Sequence, residues 1–185
     1  MIKRLFDLLL SALALLLLSP LLLGTALAVW WEDGWPVLFR QVRVGRHGRE
    51  FGMYKFRSMV KNAAAIGPYH TASDDPRITR VGRFIRRTSL DELPQLLNVL
   101  LGHMSLVGPR PDVPAQRALY SEADWAARCS VRPGVTGLAQ ARLRSAATPE
   151  QRLALDLEYA REAGLWLDLR IMVWTLARLS GKGSN

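Results

Sequence analysis

The chain has 185 residues, one cysteine and a formal net charge of +9. That length suits one domain with a proper core, and a single cysteine, Cys129, excludes an intrachain disulfide and a cluster of metal-binding thiols. The positive excess lies beyond residue 36, since residues 1–36 set Lys3 and Arg4 against Asp7, Glu32 and Asp33; it implies an anionic partner, whether nucleic acid, anionic lipid or a phosphorylated substrate.

From Leu8 to Trp31 there are 24 residues without a charge, long enough to cross a bilayer. The apolar run is too long for a signal-peptide core, and no small-residue cleavage site follows it. Lys3 and Arg4 mark the start as cytoplasmic, yet Arg40, Arg43, Arg46 and Arg49 mark the other end the same way, so the positive-inside rule gives contradictory advice for a span. Ser19-Pro20 lies mid-run, where Pro breaks the hydrogen-bond ladder and a Ser hydroxyl can satisfy a freed backbone group. A helix that bends there and returns to the same face, and a straight span kinked at Pro20, fit these residues equally. Trp30, Trp31 and Trp35 suit the interface.

Residues 37–57 predict a β-hairpin around Gly45-Arg46-His47-Gly48. In its first arm Val37, Phe39 and Gln41 share one side and Leu38, Arg40 and Val42 the other, with a slip expected near Arg43. In the second arm Lys55 and Arg57 share a face and could grip one phosphate. Residues 60–76 read as a helix start followed by a loop. Arg77, Arg80, Arg83 and Arg87 then recur with helical spacing alongside Ile78, Val81 and Ile85, an amphipathic helix with an arginine face and no interleaved acids.

That face runs into "SLDELPQLLNV" (89–99). Ser89 with Glu92 three residues on matches a capping box, which would make Asp91 and Glu92 ordinary first-turn acids. Pro94 argues for a helix starting near itself instead. Both versions leave two carboxylates beside arginines. After a helix over 94–101, Gly108-Pro109-Arg110-Pro111 is a rigid turn presenting one arginine, and "RPGVTG" (132–137) is a second stiff loop carrying Arg132. A helix over 148–163 starts at Thr148-Pro149-Glu150. A last helix, roughly 165–180, has Leu165, Leu169, Met172, Leu176 and Leu179 on one stripe, for core packing or the membrane interface. The histidines (His47, His70, His103) show no ligand spacing. The fold class expected is α+β: a compact, mostly helical domain with a small hairpin sheet and amphipathic interface helices, residues 37–185, behind a membrane anchor, residues 1–36.

Glycosidase carboxylates must straddle a bond, which adjacent residues cannot easily do. No phosphate-binding glycine loop of the P-loop or dinucleotide type is present. A carboxylate can instead attack phosphorus, provided that arginines, usually with a divalent metal, neutralise the electrophile. A soluble phosphorylated donor and a lipid phosphate acceptor would account for anchor, arginines and carboxylates together. The competing reading is a membrane-anchored basic module that binds nucleic acid or anionic lipid; the few aromatics around 77–110 count against it.

"KFRSM" (55–59), "DDPRITRVGRFIRRTSLDELPQLLNVLLGHMSLVGPRP" (74–111) and "RPGVTGLAQ" (132–140) together resemble the bacterial sugar transferase family, the monotopic phosphoglycosyl transferases, in its small catalytic-core form. The resemblance covers nearly the whole chain. It implies transfer of a phosphosugar from a UDP-sugar to a polyprenyl phosphate, usually undecaprenyl phosphate, with release of UMP. A ping-pong reaction through a phosphosugar-aspartyl intermediate and a requirement for Mg2+ are implied with it. It implies Asp91 as nucleophile and metal ligand and Glu92 as its partner. Lys55, Arg57 and Arg110 are implied at phosphate or nucleotide, and Arg86, Arg87 and Arg132 less directly. The family's anchor is a re-entrant helix bent at Ser-Pro, here Ser19-Pro20, which implies a monotopic protein on the cytoplasmic face of the bacterial inner membrane. Membrane lipids are then partners, nucleic acid is not, and an exposed last helix would allow a homodimer. His103 departs from the pattern, since the family usually has an acid there.

Overall fold

The computed structural model describes residues 2–67, 75–143 and 148–179; His70 and most of the loop expected before residue 76 lie outside them. Two helices open the chain, α1 (Ile2–Leu17) and α2 (Ser19–Asp33), bent by 62° where they meet. The bend follows from Pro20. Lacking an N–H, it cannot bond the Leu16 carbonyl one turn back, and the Ser19 hydroxyl donates to that carbonyl instead, at 2.7 Å. No single helix among the described residues is long and apolar enough to cross a membrane; the bent pair together reaches that composition.

The polarity of α1 is inverted relative to a soluble helix. Leu5, Leu9, Leu13 and Leu16 are exposed, whereas Asp7 and Ser11 are buried. Asp7 accepts hydrogen bonds from the Ser105 hydroxyl (2.9 Å) and the Leu106 N–H (3.2 Å). Both ends of the bent pair are fastened to one body. Lys3 pairs with the buried Asp168, and Arg4 donates to the carbonyls of Val99 (2.7 Å) and Leu100 (3.0 Å). At the far end the Glu32 carboxylate accepts from the N–H groups of Arg80 (2.7 Å) and Val81 (2.8 Å), two of the donors a helix start leaves unpaired.

Strands β1 (Leu38–Val44) and β2 (Glu50–Phe56) form the expected antiparallel hairpin. Pairing runs unbroken from Leu38 opposite Phe56 to Val44 opposite Glu50, so the slip expected near Arg43 does not occur. The turn absorbs the reversal, with His47 and Gly48 at positive φ. The free edge of β2 is met by the buried Asn98, whose carbonyl accepts from Tyr54 N–H (2.9 Å) and whose amide donates to the Gly52 carbonyl (2.8 Å). One side chain thus bonds the edge as a strand would. Phe51 and Met53 pack with Val99 and Met104, and Phe56 packs with Val29, Val37 and Ile85.

After a short α3 (Ala63–Ile66), the arginine helix α4 spans Arg80–Arg87. Thr79 caps it by accepting from Gly82 N–H at 2.9 Å. Arg77 therefore precedes the helix and leaves its arginine face: it is buried and paired with Asp75 at 2.6 Å. Gly82 permits the close approach of α4 to β2's exit, since a Cβ there would lie 2.0 Å from the Ser58 carbonyl oxygen. Then follow α5 (Gln95–Leu100), β3 (Ser105–Val107), α6 (Glu122–Arg128), β4 (Gly134–Thr136) and α7 (Leu138–Arg142). The stiff loops of the sequence contain a second sheet: β3 and β4 pair in parallel, and Gly108 and Gly134 touch backbone to backbone. The late helices are α8 (Pro149–Glu162), capped by Thr148, and α9 (Leu165–Leu179). The buried line of α9 runs through Asp168 and Ile171 rather than along the leucine stripe; Trp166, Val173 and Leu176 are exposed. The result is an α+β fold, mostly helical, with two small sheets.

Candidate active site

The segment between α4 and α5 sets the two carboxylates. Ser89 takes a left-handed conformation (φ 57°), and a single 3-10 turn, Leu90–Glu92, follows. Its side chain makes no cap bond, so the expected capping box does not form. Of the two helix starts considered, the later one occurs: α5 begins at Gln95 behind Pro94. Asp91 and Glu92 are thus held by a tight turn between two helices.

This turn forms one wall of a cleft of about 1060 Å³. The cleft gathers Lys55, Arg57, Arg86, Asp91, Glu92 and Arg110, from β2, its exit, α4 and the turn after β3. Arg87 and Arg132 do not line it: Arg87 is exposed on α4, and the Nε of Arg132 donates to the Gly102 carbonyl at 3.0 Å. His103 lies outside the lining too, its ring stacked on Phe51 at 5.6 Å. Residues that the sequence left unassigned complete the walls. Phe39, Gln41 and Arg43 alternate along β1, and Thr136, Gln140 and Arg178 come from β4, α7 and α9. The period of two along β1 extends to Arg43 once the slip is dropped; nothing local to Thr136 or Arg178 placed them here.

The two carboxylates have different surroundings. Glu92 accepts from Lys55 Nζ at 2.8 Å and from Arg110 at 2.6 Å. Burial alone would raise its pKa, but Arg110 and Lys55 hold it down to about 2. Asp91 is buried, and burial raises its pKa, reinforced by the neighbouring charge of Glu92; Lys55, Arg86 and Arg110 oppose the rise through their charge. The Lys55 ammonium is lowered by burial, with Glu92 pulling the other way. So Lys55 and Arg110 are bonded to Glu92, and Asp91 is a desolvated carboxylate within reach of their field.

Lys55 and Arg57 both line the cleft, but they do not reach one shared partner. Strand β2 ends at Phe56, and Arg57 turns toward the end of α2, donating through Nη2 to the carbonyls of Asp33 (2.9 Å) and Gly34 (2.6 Å). Its Nη2 also lies 3.0 Å from the Asp33 carboxylate, an ion-pair distance without hydrogen-bond alignment. The Nε and Nη1 of Arg57 are buried without a hydrogen-bond partner among the described residues, so the guanidinium keeps two donors for an anion in the cleft. No group of three or more His, Cys, Asp or Glu side chains able to hold a metal occurs among the described residues. A cation here would have Asp91 for a protein ligand and would need further oxygens from substrate phosphates and water. That donor set fits Mg2+, which keeps several waters and binds through one or two carboxylates plus phosphate.

The family model for bacterial sugar transferases matches residues 1–182. An undecaprenyl-phosphate glucose phosphotransferase of Komagataeibacter xylinus is 48% identical over 187 residues, covering 95% of this chain and 35% of that protein. A UDP-glucose:undecaprenyl-phosphate glucose-1-phosphate transferase of Escherichia coli K12 is 43% identical over 185 residues, 95% of this chain and 39% of that protein. The exopolysaccharide production protein PSS of Rhizobium leguminosarum bv. phaseoli is 45% identical over 195 residues, 100% of this chain and 98% of that protein. The chain therefore spans little more than a third of the two glucose transferases and nearly all of the Rhizobium protein. With a match from end to end and a cleft that assembles the motif residues, the chain belongs to the bacterial sugar transferase family.

Proposed function

We propose that this chain is a phosphoglycosyl transferase that moves a phosphosugar from a UDP-sugar to undecaprenyl phosphate and releases UMP. The observation that carries the reading is the pairing of Asp91 with a cationic cleft: a desolvated carboxylate beside Lys55, Arg86 and Arg110. An oxygen of the Asp91 carboxylate attacks the β-phosphorus, the bond to the bridging oxygen breaks, and UMP leaves with that electron pair. The phosphosugar then rests on Asp91 as an acyl phosphate. A phosphate oxygen of the lipid acceptor attacks the same phosphorus, the bond to Asp91 breaks, and the carboxylate is regenerated.

Desolvation makes the Asp91 carboxylate a stronger nucleophile, and Asp91 is also the residue that would hold a Mg2+, which would supply charge neutralisation at the phosphates. Glu92 keeps Lys55 and Arg110 in place by bonding both. Arg57 offers Nε and Nη1 to a phosphate. The reading places the bent α1–α2 pair in the cytoplasmic face of the inner membrane as a re-entrant anchor. Its inverted polarity and the attachment of both its ends to one body support this over a straight span. A relative with 48% identity is named a glucose phosphotransferase and one with 43% a glucose-1-phosphate transferase, and one with 41% identity is named for N-acetylgalactosamine, so the sugar is read from experiment.

The test is UMP release from a panel of UDP-sugars with undecaprenyl phosphate and Mg2+, comparing the wild type with Asp91→Asn. Release with one sugar that the substitution abolishes, and sugar-phosphate label retained on the wild-type protein when the acceptor is omitted, are the expected results. Release that survives Asp91→Asn would remove Asp91 as nucleophile; no release with any sugar from folded protein would favour a binding module.

A further inference from the structure

The turn that carries Arg110 cannot hold itself. Pro109 and Pro111 flank Arg110, so two of the three residues lack an N–H. Four successive carbonyls nevertheless each find a donor, and the donors come from three other elements. Gly134 N–H of β4 donates to Pro109 O at 2.9 Å. Arg128 Nη2, from the end of α6, donates to Arg110 O at 2.5 Å. Arg43 Nη1 of β1 donates to Pro111 O at 2.9 Å, and Val44 N–H donates to Asp112 O at 2.8 Å. Pinning the carbonyls on both sides of a Cα fixes the direction of its Cα–Cβ bond, from which the Arg110 side chain here reaches Glu92.

Arg128 stands out in this set. Its side chain is 7% exposed. Its Nε donates to Asp156 at 3.0 Å, and its Nη1 lies 2.6 Å from the Asp112 carboxylate. Its guanidinium sits 5.5 Å over the Tyr120 ring. One guanidinium here faces two carboxylates, and burial pushes the Asp156 pKa up to about 6. Buried ion pairs are weak contributors to stability against apolar packing of the same volume, so stability is a poor reason for this arrangement. What it provides is orientation: the two acids grip two sides of a planar fork and aim the third donor at the Arg110 carbonyl.

We infer that Arg128, aligned by Asp112 and Asp156, is a positioning residue that sets Arg110 against Glu92 and thereby shapes the phosphate-binding side of the cleft. The inference rests on the transferase reading of that cleft. Arg128 is not among the residues lining it, so an effect of its substitution on ligand cannot come from a lost contact. The role predicts that Arg128 acts through Arg110 and through nothing else in the site.

The test is a double-mutant cycle of Arg128→Gln and Arg110→Ala on the full chain in nanodiscs. It is read twice, as UMP release from the donor found active and as affinity for UDP by calorimetry. Arg128→Gln is expected to lower kcat/KM by about 10- to 100-fold, in the range seen for groups that hold a reacting partner in place. In the Arg110→Ala background the same change should have little further effect. Additive losses in either readout would overturn the inference, because they would mean that Arg128 supports the fold or another group. Should Arg128→Gln fail to fold, Arg128→Lys keeps a cation between the acids and loses the aimed fork; it should show the same non-additivity with Arg110→Ala, and wild-type turnover would sink the idea. Failure of the transferase reading shows separately, as a wild type without Asp91-dependent UMP release, and the UDP-affinity cycle still decides the role of Arg128.

Discussion

Glu92→Gln separates the electrostatics of the dyad from its chemistry. In the folded protein the Glu92 carboxyl titrates at about 2 against an ordinary 4.5, held there by Arg110 and Lys55 against the cost of burial. At 1.36 kcal/mol per pKa unit this depression corresponds to roughly 3 kcal/mol of folding stability. The side chain is 23% exposed, so solvent screening removes only part of it. The sign follows from the direction of the shift. Because the folded pKa is depressed, the contribution is fully present above the ordinary value and is lost as the pH falls through 4.5 toward 2. By pH 3 roughly half remains. Glutamine keeps the shape but not the charge, and it leaves the buried Lys55 ammonium without its closest anion. At pH 7 Glu92→Gln should therefore lower the melting temperature by roughly 6–12 °C, taking about 2–4 °C per kcal/mol for a chain of this size. At pH 3 the gap should narrow to about half. The assay is thermal unfolding in one detergent across that pH range, wild type and variant side by side. Equal melting temperatures at pH 7, or a gap that stays constant down to pH 3, would refute the reasoning.

Asp91→Asn should behave oppositely in stability: the raised folded pKa means that the stability it carries is present at low pH and lost as the pH rises. At pH 7 the variant should melt no lower than the wild type while losing UMP release, and kcat/KM of the wild type should fall on the acid side as Asp91 takes up its proton. Asp7→Ala removes the acceptor of the Ser105 hydroxyl and the Leu106 N–H. It should cost on the order of 2–4 kcal/mol, measured by urea unfolding in micelles, because a buried hydroxyl and a half-buried N–H are left unpaired. Replacing Ser19 and Pro20 together by leucine restores the N–H to the Leu16 carbonyl and should let the helix run straight. With Cys129→Ser as background and Ile2→Cys as reporter, residue 2 should be labelled by an impermeant maleimide only from the cytoplasmic side in the bent protein; the same labelling in the leucine variant would argue against Pro20 as the cause of the bend.

The sequence by itself determined the elements whose cause is local. Pro20 removes one N–H and Ser19 can replace it, so the place of the bend is written in two adjacent residues. The hairpin follows from alternation around Gly45 and Gly48, and the start of α8 from Thr148-Pro149-Glu150. Family membership was legible as well, because the central motif block is long and specific. Tertiary structure decided what depends on residues far apart in the chain. Ser89 satisfies the rule for a helix cap, yet α4 ends against it, and the left-handed turn leaves Glu92 to bond Lys55 and Arg110 instead of a backbone N–H. Arg77 fits a helical period but is pulled out of it by Asp75. Strands β3 and β4 are three residues each and stable only as a pair, so neither carries a pattern of its own. Whether Arg57, Arg110 or Arg132 would reach the cleft was likewise undetermined: each stands on a comparable stiff or extended segment. What separates them is the backbone carbonyl or carboxylate that the rest of the fold brings within reach of each guanidinium.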